Sequence, residues 1–422
     1  MADWAQLLGG SVLLGICITA TMVLPRPHYL LSIGVGVASL AAATQASSTL
    51  LSRYGTFEVA VASTFVLFGG AGVGYRLAAA ALSHLARDSE IPHIARSREG
   101  TGAGIVLLAF ADPERYSPSW VARRHERLTD SAGIDVPPTA VPFVFLAQKT
   151  RYRSMRGSTT GIVVARDLAA RVAGVLGPAE GLVGVLVAPA DDAGALGVAV
   201  AELASRGAAR VGVVVLGQED SDDVDQAKHA LDSAHPSDAG VRVCFGPSLW
   251  NDTQLAAKLT VRVAAALADH PSSECGVVLV SQGMPPEWER RHAAAQEDEN
   301  YFNQRVRMLL GAQGIDERAV RIAWIDWQMP DVTEAVRHVA ALGKTRVVVA
   351  PSTIALSTLE YELDLDHAID SARLPSTVEV VTLPCWGTDT GMLEAIVHSA
   401  RSALQARGCA EDGTAEISSA TP

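Results

Sequence analysis

Residues 277–286 read VVLVSQGMPP. Four apolar residues run into Ser281, Gln282 and Gly283, and then into Met284 and two prolines. A continuous apolar run that ends in a turn signal reads as a strand buried on both faces of a parallel sheet. In open α/β sheets, ligands bind outside the carboxyl ends of the strands. Gln282 therefore stands where a catalytic side chain often sits.

Similar runs recur on either side. IVLLAF (105–110), PFVFLA (142–147), VGVLVA (183–188), VGVVVL (211–216), VRVCF (241–245), VRIAWI (320–325), RVVVA (346–350) and VEVVTL (378–383) are predicted strands. Helical segments separate them, which predicts an α/β fold with parallel sheets covered by helices. The pattern also repeats. AVAELASRGAARVGVVV (199–215) aligns with AVRHVAALGKTRVVVAP (335–351), with Gly207 on Gly343 and Arg210 on Arg346. Each is a helix stopped by glycine and followed by a buried strand. GIVLLAF (104–110) and GVVLVSQ (276–282) open the two halves in the same way. The expectation is an internal duplication: two similar Rossmann-like lobes facing each other across a cleft, a common place for a ligand.

The first eighty residues differ in character. Trp4 to Leu24 holds no charged residue and matches the roughly 20 residues needed to cross a bilayer. Further apolar runs extend from Tyr29 to Leu51 and from Val59 to Leu82. Three transmembrane helices are expected, in a chain without the basic start of a signal peptide. Arg76, Arg87, Arg96 and Arg98 follow the third run, Arg26 lies in the first loop and Arg53 in the second. The bias of basic residues toward the inner side puts the amino terminus outside and the large domain in the cytoplasm, with only Arg53 misplaced. The glycines of GGAGVG (69–74) miss the GxGxxG/A spacing of a dinucleotide loop and suit close helix approach instead.

The domain plan is thus 1–82 transmembrane, 83–103 linker, 104–270 first lobe, 271–407 second lobe, and 408–422 a disordered tail. Acidic residues outnumber basic ones 46 to 34, which argues against a nucleic-acid partner. The five cysteines show no CxxC spacing, so no zinc ribbon is suggested. GxSxG, P-loop and HExxH motifs are missing.

From about 104 to 405 the chain resembles the ferrochelatases and the related sirohydrochlorin and cobalt chelatases, the class II chelatases. TRYRSMRGSTTG (150–161) is similar to the family's substrate loop, with Tyr152, Met155 and Gly157 matching, and with Arg156 and Thr159 replacing a glycine and a serine. SQGMP (281–285) resembles the Ser-Ala-His-Gly-Leu-Pro segment. WQMPDVTEAVRHVAALGKTRVVVAP (327–351) resembles the Trp-Leu-x-Pro segment, and STLEYELDLD (357–366) the Glu-Thr-Leu-Tyr-Glu-Ile-Asp run. DENY (298–301) stands for Gly-Asp-Pro-Tyr. The resemblance implies a tetrapyrrole ligand and insertion of Fe2+ or Co2+. It also exposes two departures. Gln282 or Ser281 replaces the catalytic histidine, and Thr358 or Ser357 replaces the catalytic glutamate.

The residues allow the following chemistry. Glutamine donates and accepts hydrogen bonds but does not titrate as a base must, so Gln282 argues against proton abstraction. Arg151, Arg153 and Arg156 with Tyr152, Ser158 and Thr159 flank an expected helix start. They suit tetrapyrrole carboxylates, phosphate, or anionic lipid. Glu362, Asp364 and Asp366 are the candidate metal ligands, with Glu362 also a candidate catalytic acid. Trp327 is a candidate cleft wall. EWERRHAAAQEDENY (287–301) reads as a surface helix, and His292 within it as a poor ligand. Three functions remain open: a tetrapyrrole-binding relative at the cytoplasmic membrane that lacks the chelatase base, a divergent active chelatase, or a scaffold subunit bound to a membrane-protein partner or to its own copies.

Overall fold

The computed structural model describes residues 1–25, 27–94, 101–177 and 181–406. Arg26, Arg96, Arg98 and the expected tail 408–422 lie outside them. The chain divides into two compact units: Met1–Arg87 with Arg115–Ser158, and Asp88–Glu114 with the chain from Thr159 onward.

The first unit is all-helical. α1 (Ala2–Val23), α2 (His28–Tyr54) and α3 (Phe57–Ala80) match the three apolar runs, and each is long and apolar enough to cross a membrane. Small residues let them close together. A Cβ on Gly74 would run into the Val12 carbonyl, and one on Gly15 into the Ala71 carbonyl, so α1 and α3 touch backbone to backbone. Two further helices, the amphipathic α4 (Pro118–Ala132) and α5 (Val141–Ser154), complete the unit. Their anchors satisfy carbonyls at the end of α1, which have no partner within the helix. Lys149 Nζ donates to the Thr21 carbonyl (2.8 Å) and Tyr116 Oη to the Val23 carbonyl (2.7 Å). Tyr75 Oη likewise reaches the Thr139 carbonyl at 2.7 Å.

α5 corrects the strand expected over 142–147. PFVFLA is the first half of a helix whose buried positions are Val141, Pro142, Phe145, Lys149 and Tyr152, a period of about 3.6 rather than 2.

The second unit is the duplicated α/β part. Its first lobe holds β1 (Gly102–Ala109), α6 (Gly161–Leu176), β2 (Leu182–Pro189), α7 (Ala195–Ser205), β3 (Ala208–Leu216), α8 (Asp222–Ser233) and β4 (Arg242–Phe245). After α9 (Thr253–Leu267) the second lobe follows. It comprises β5 (Cys275–Ser281), α10 (Pro286–Arg291), α11 (Ala293–Ala312), β6 (Val320–Trp324), α12 (Val332–Ala341), β7 (Arg346–Pro351), α13 (Leu365–Ser371), β8 (Glu379–Thr382) and α14 (Thr390–Gln405).

Both sheets are fully parallel and share one order, β2-β1-β3-β4 and β6-β5-β7-β8. The duplication also reaches individual residues. Gly207 and Gly343 both end their helices with positive φ, 97° and 78°. A Cβ on Gly104 would press on Leu203, and one on Gly276 on Val339, and these partners are themselves aligned in the repeat. Each half lends its last helix to the other: α9 packs on β7 and α11, and α14 on β3 and α6. One apolar core therefore spans both lobes, running from Ile105 and Leu107 through Leu259 and Val263 to Leu279, Val348 and Ile396.

The segment Asp88–Ile94 was expected to be linker, and it docks on the first lobe. Asp192, just after β2, accepts from the Ser89 amide (2.8 Å) and hydroxyl (2.7 Å), and Ile94 is buried beside Leu196 and Val200.

Candidate functional site

The candidate site is built at the carboxyl ends of the second sheet. β5 ends in Ser281, which is fully buried. Its hydroxyl accepts from Asn303 Nδ2 (3.2 Å) and Thr353 Oγ1 (2.9 Å) and lies 3.3 Å from Ser352 Oγ. Gln282 follows, half-buried, with its carbonyl accepting from the Asp326 amide at 3.1 Å. Gly283 then turns the chain with φ 85°.

Beneath this strand end sits a buried acid that the sequence reading placed on a surface helix. Glu299 on α11 is only 2% exposed. Its Oε1 accepts from Thr353 Oγ1 (2.6 Å), and its Oε2 from Trp324 Nε1 (3.2 Å). Burial pushes its carboxyl above the ordinary range, against the lowering effect of hydrogen bonds from Thr353, Ser281 and Trp324. Burial disfavours the charged form, which is why it dominates. Three strand ends, β5, β6 and β7, thus converge on one carboxyl. The clue was present in the sequence: Ala295, Glu299, Phe302, Val306 and Leu310 form one buried stripe, and Glu299 falls on its i, i+3, i+4 pattern.

His292 corrects the same expectation. It is 5% exposed and reaches across to the first lobe. Its Nδ1 lies 2.8 Å from Asp220 Oδ1 and its Nε2 lies 2.7 Å from Asp222 Oδ1. Arg291 pairs with the other oxygen of Asp222 at 2.9 Å.

The STLEYELDLD segment forms a π-helical turn, Glu360–Asp364, leading into α13. Glu362 takes a hydroxyl contact from Ser357 and a longer one from Thr160 (3.4 Å), at the start of α6. The Leu359 amide donates to Asp112 Oδ2 (2.6 Å), just beyond β1. This end of the second lobe is therefore tied to the first. Beside it, burial first and the charge of Glu362 next push the Cys385 thiol up to about 12, so it is a protonated, unreactive group at neutral pH. Asp364 is half-buried and Asp366 exposed. Glu362, Asp364 and Asp366 do not bring their carboxylates together as a metal cluster would. Among the described residues, the one group that does is Asp220, Asp225 and His292.

The arginine loop belongs to the helical unit, up to Ser158. Arg151, Tyr152 and Arg153 close α5 in the helical unit. Tyr152 is buried against Tyr116 and Trp120, and Arg153 stacks over Tyr29 at 5.5 Å. Arg156 takes a positive φ of 57° and is exposed, as is Ser158. Thr159, in the α/β unit, is buried and donates to the Pro113 carbonyl at 2.9 Å. α6 does begin at Gly161, as expected. Trp327, beyond β6, is 47% exposed with φ 64°.

Residues 276–403, from β5 to α14, match the CbiX family model. The chain is thus similar to the class II chelatases, as the sequence resemblance implied. Among solved structures, it is similar to the sirohydrochlorin chelatase SirB from Bacillus subtilis subspecies spizizenii in complex with cobalt, at 12% identity and TM-score 0.43, over 73% of this chain and 98% of that one. SirB from Bacillus subtilis with Fe3+ gives 13% identity and TM-score 0.40, over 72% and 97%. No curated protein matches.

Proposed function

We propose that this chain is a membrane-anchored, chelatase-type protein that holds a tetrapyrrole between its two α/β lobes without the usual histidine base. The observation that carries this reading is Gln282 at the carboxyl end of β5, inside the span that matches the CbiX family model. Metal insertion displaces protons from pyrrole nitrogens, and an amide side chain cannot take them up. Glu299 is no substitute: it is buried and held by Thr353 and Trp324. The anchoring part rests on α1–α3, whose outward faces carry Leu31, Val37, Phe65 and Phe68 largely exposed. Such a surface suits lipid rather than water. The soluble lobes would then lie in the cytoplasm, beside the basic end that follows α3.

A second reading, an active chelatase working through Glu362, is favoured by the π-helical turn that carries this residue. Such turns concentrate at functional sites.

One experiment separates the two. The full chain in detergent is titrated with porphyrin and with sirohydrochlorin, followed by ferrous or cobalt ion, while absorbance is recorded. The proposal expects a spectral shift on binding and no metal insertion. Insertion that survives Gln282→Ala and is lost in Glu362→Ala establishes the second reading instead. No spectral shift with either ligand removes both and leaves the scaffold role.

A further inference from the structure

The junction between β3 and α8 brings four chemically related groups to one place. One ligand atom from each of Asp220, Asp225 and His292 lies within 4.8 Å of the other two. The two acids come from the first lobe and the imidazole from the second, some 70 positions away in the chain. Asp225, four residues into the turn after Ser221, is open to solvent, with 59% of its side chain exposed. This gives an ion a route in. His292 is buried, and each of its two ring nitrogens faces a carboxylate. Nε2 is turned to Asp222, a buried carboxylate held in turn by Arg291. Nδ1 is turned to Asp220 at 2.8 Å.

With an ion placed beside Nδ1, this becomes the arrangement of a metal-binding histidine. One nitrogen is fixed by an outer carboxylate, which sets the tautomer and raises ligand basicity, and the other faces the ion. An ordinary ion pair would explain either aspartate contact alone. Asp225, which also pairs with Lys228 at 3.9 Å, brings a third carboxylate to the same point from α8.

We propose that Asp220, Asp225 and His292 Nδ1 form a divalent transition-metal site that bridges the two lobes, with Asp222 as the orienting partner of His292. One imidazole and two carboxylates suit Zn2+, Co2+ or Fe2+ better than Mg2+ or Ca2+, which prefer all-oxygen shells. Three protein ligands leave a position for water or another donor. The site is separate from Gln282 and Glu362 and does not rest on tetrapyrrole binding. Its effect is to tie lobe to lobe, so bound metal raises thermal stability by mass action.

The test uses the full chain in detergent, stripped with chelator and titrated with Co2+ and then Zn2+ alone. The expected result is one equivalent bound, a visible Co2+ absorption band that Zn2+ displaces, and a higher melting temperature. Asp225→Asn, a change at an exposed position that leaves the fold intact, should weaken binding at least about tenfold. His292→Ala should abolish it. Asp222→Asn should weaken it about 10- to 100-fold, as loss of an outer carboxylate does. Glu362→Gln should leave it unchanged. Binding that ignores Asp225→Asn and His292→Ala, or no binding at all, would overturn the site and leave His292 as a charged clasp between Asp220 and Asp222.

Discussion

The two lobes share a strand order and differ at the ends of their strands. In the first lobe the polar groups at those ends are spent on fastening. Asp112 beyond β1 receives the Leu359 amide, Asp192 beyond β2 binds Ser89, and Asp220 and Asp222 beyond β3 hold His292. In the second lobe the same ends build a small interior. Ser281 at the end of β5, Trp324 at the end of β6 and Thr353 beyond β7 all converge on Glu299. Beyond β6, where Asp192 has its counterpart, the chain exposes Trp327. One duplicated frame thus supports two roles, a clamp in one lobe and a polar chamber next to Gln282 in the other.

The largest expected effect lies in the frame itself. Gly276→Val should cost about 3 kcal/mol, because the added carbons meet Val339, the Ala319 carbonyl and Lys344, and overpacking a tight core is penalised on this scale. Gly104→Val should cost about 1 kcal/mol, since the nearest atoms all belong to one side chain, Leu203, and none to backbone. Urea melts of the two variants measure the difference. Equal costs would remove the asymmetry between the lobes.

Next comes the buried acid. Glu299→Ala should cost about 2–3 kcal/mol by leaving Thr353 and Trp324 without their acceptor. The pH dependence has a definite sign. A carboxyl raised on folding holds its proton more tightly in the folded chain, so its contribution is full below the ordinary carboxylate pKa and is lost as pH rises through the folded value. The stability of the native chain relative to Glu299→Gln should therefore fall from acid toward neutral pH in denaturant titrations. A flat difference would mean that Glu299 is not held neutral. A smaller effect than that of Glu299 belongs to the first lobe. Asp192→Ala should cost about 1–2 kcal/mol and should increase amide exchange at Ser89 without disturbing the second lobe.

Much of the frame was legible in the sequence. Continuous apolar runs located eight strands, and the alignment of 199–215 on 335–351 anticipated the matching sheets. PFVFLA was misread because a six-residue apolar run carries no period of its own. Its helix becomes visible only when Lys149 and Tyr152 are included as buried positions. Lys149 is unusual there, since it is drawn inside by the Thr21 carbonyl and the Tyr29 ring.

The site was less legible. Gln282 was found because a strand end is a sequence signal. Glu299 and His292 were missed because charged residues on a helix usually face water, and only the partners from other segments make their burial affordable. Those partners, Thr353, Trp324, Asp220 and Asp222, are distant in sequence, and no local pattern announces them. The arginines of 151–156 were singled out by resemblance, and the fold puts them at the end of α5 and in the turn after it, in the helical unit.

The central claim is that the second lobe keeps a chelatase frame around a strand end that cannot take up a proton. The most direct measurement is the absorption spectrum of porphyrin bound to the full chain, followed over time after ferrous or cobalt ion is added. The account predicts a bound spectrum that stays metal-free. Conversion to the metalloporphyrin spectrum faster than in detergent alone, abolished by a substitution in the second lobe, would contradict it.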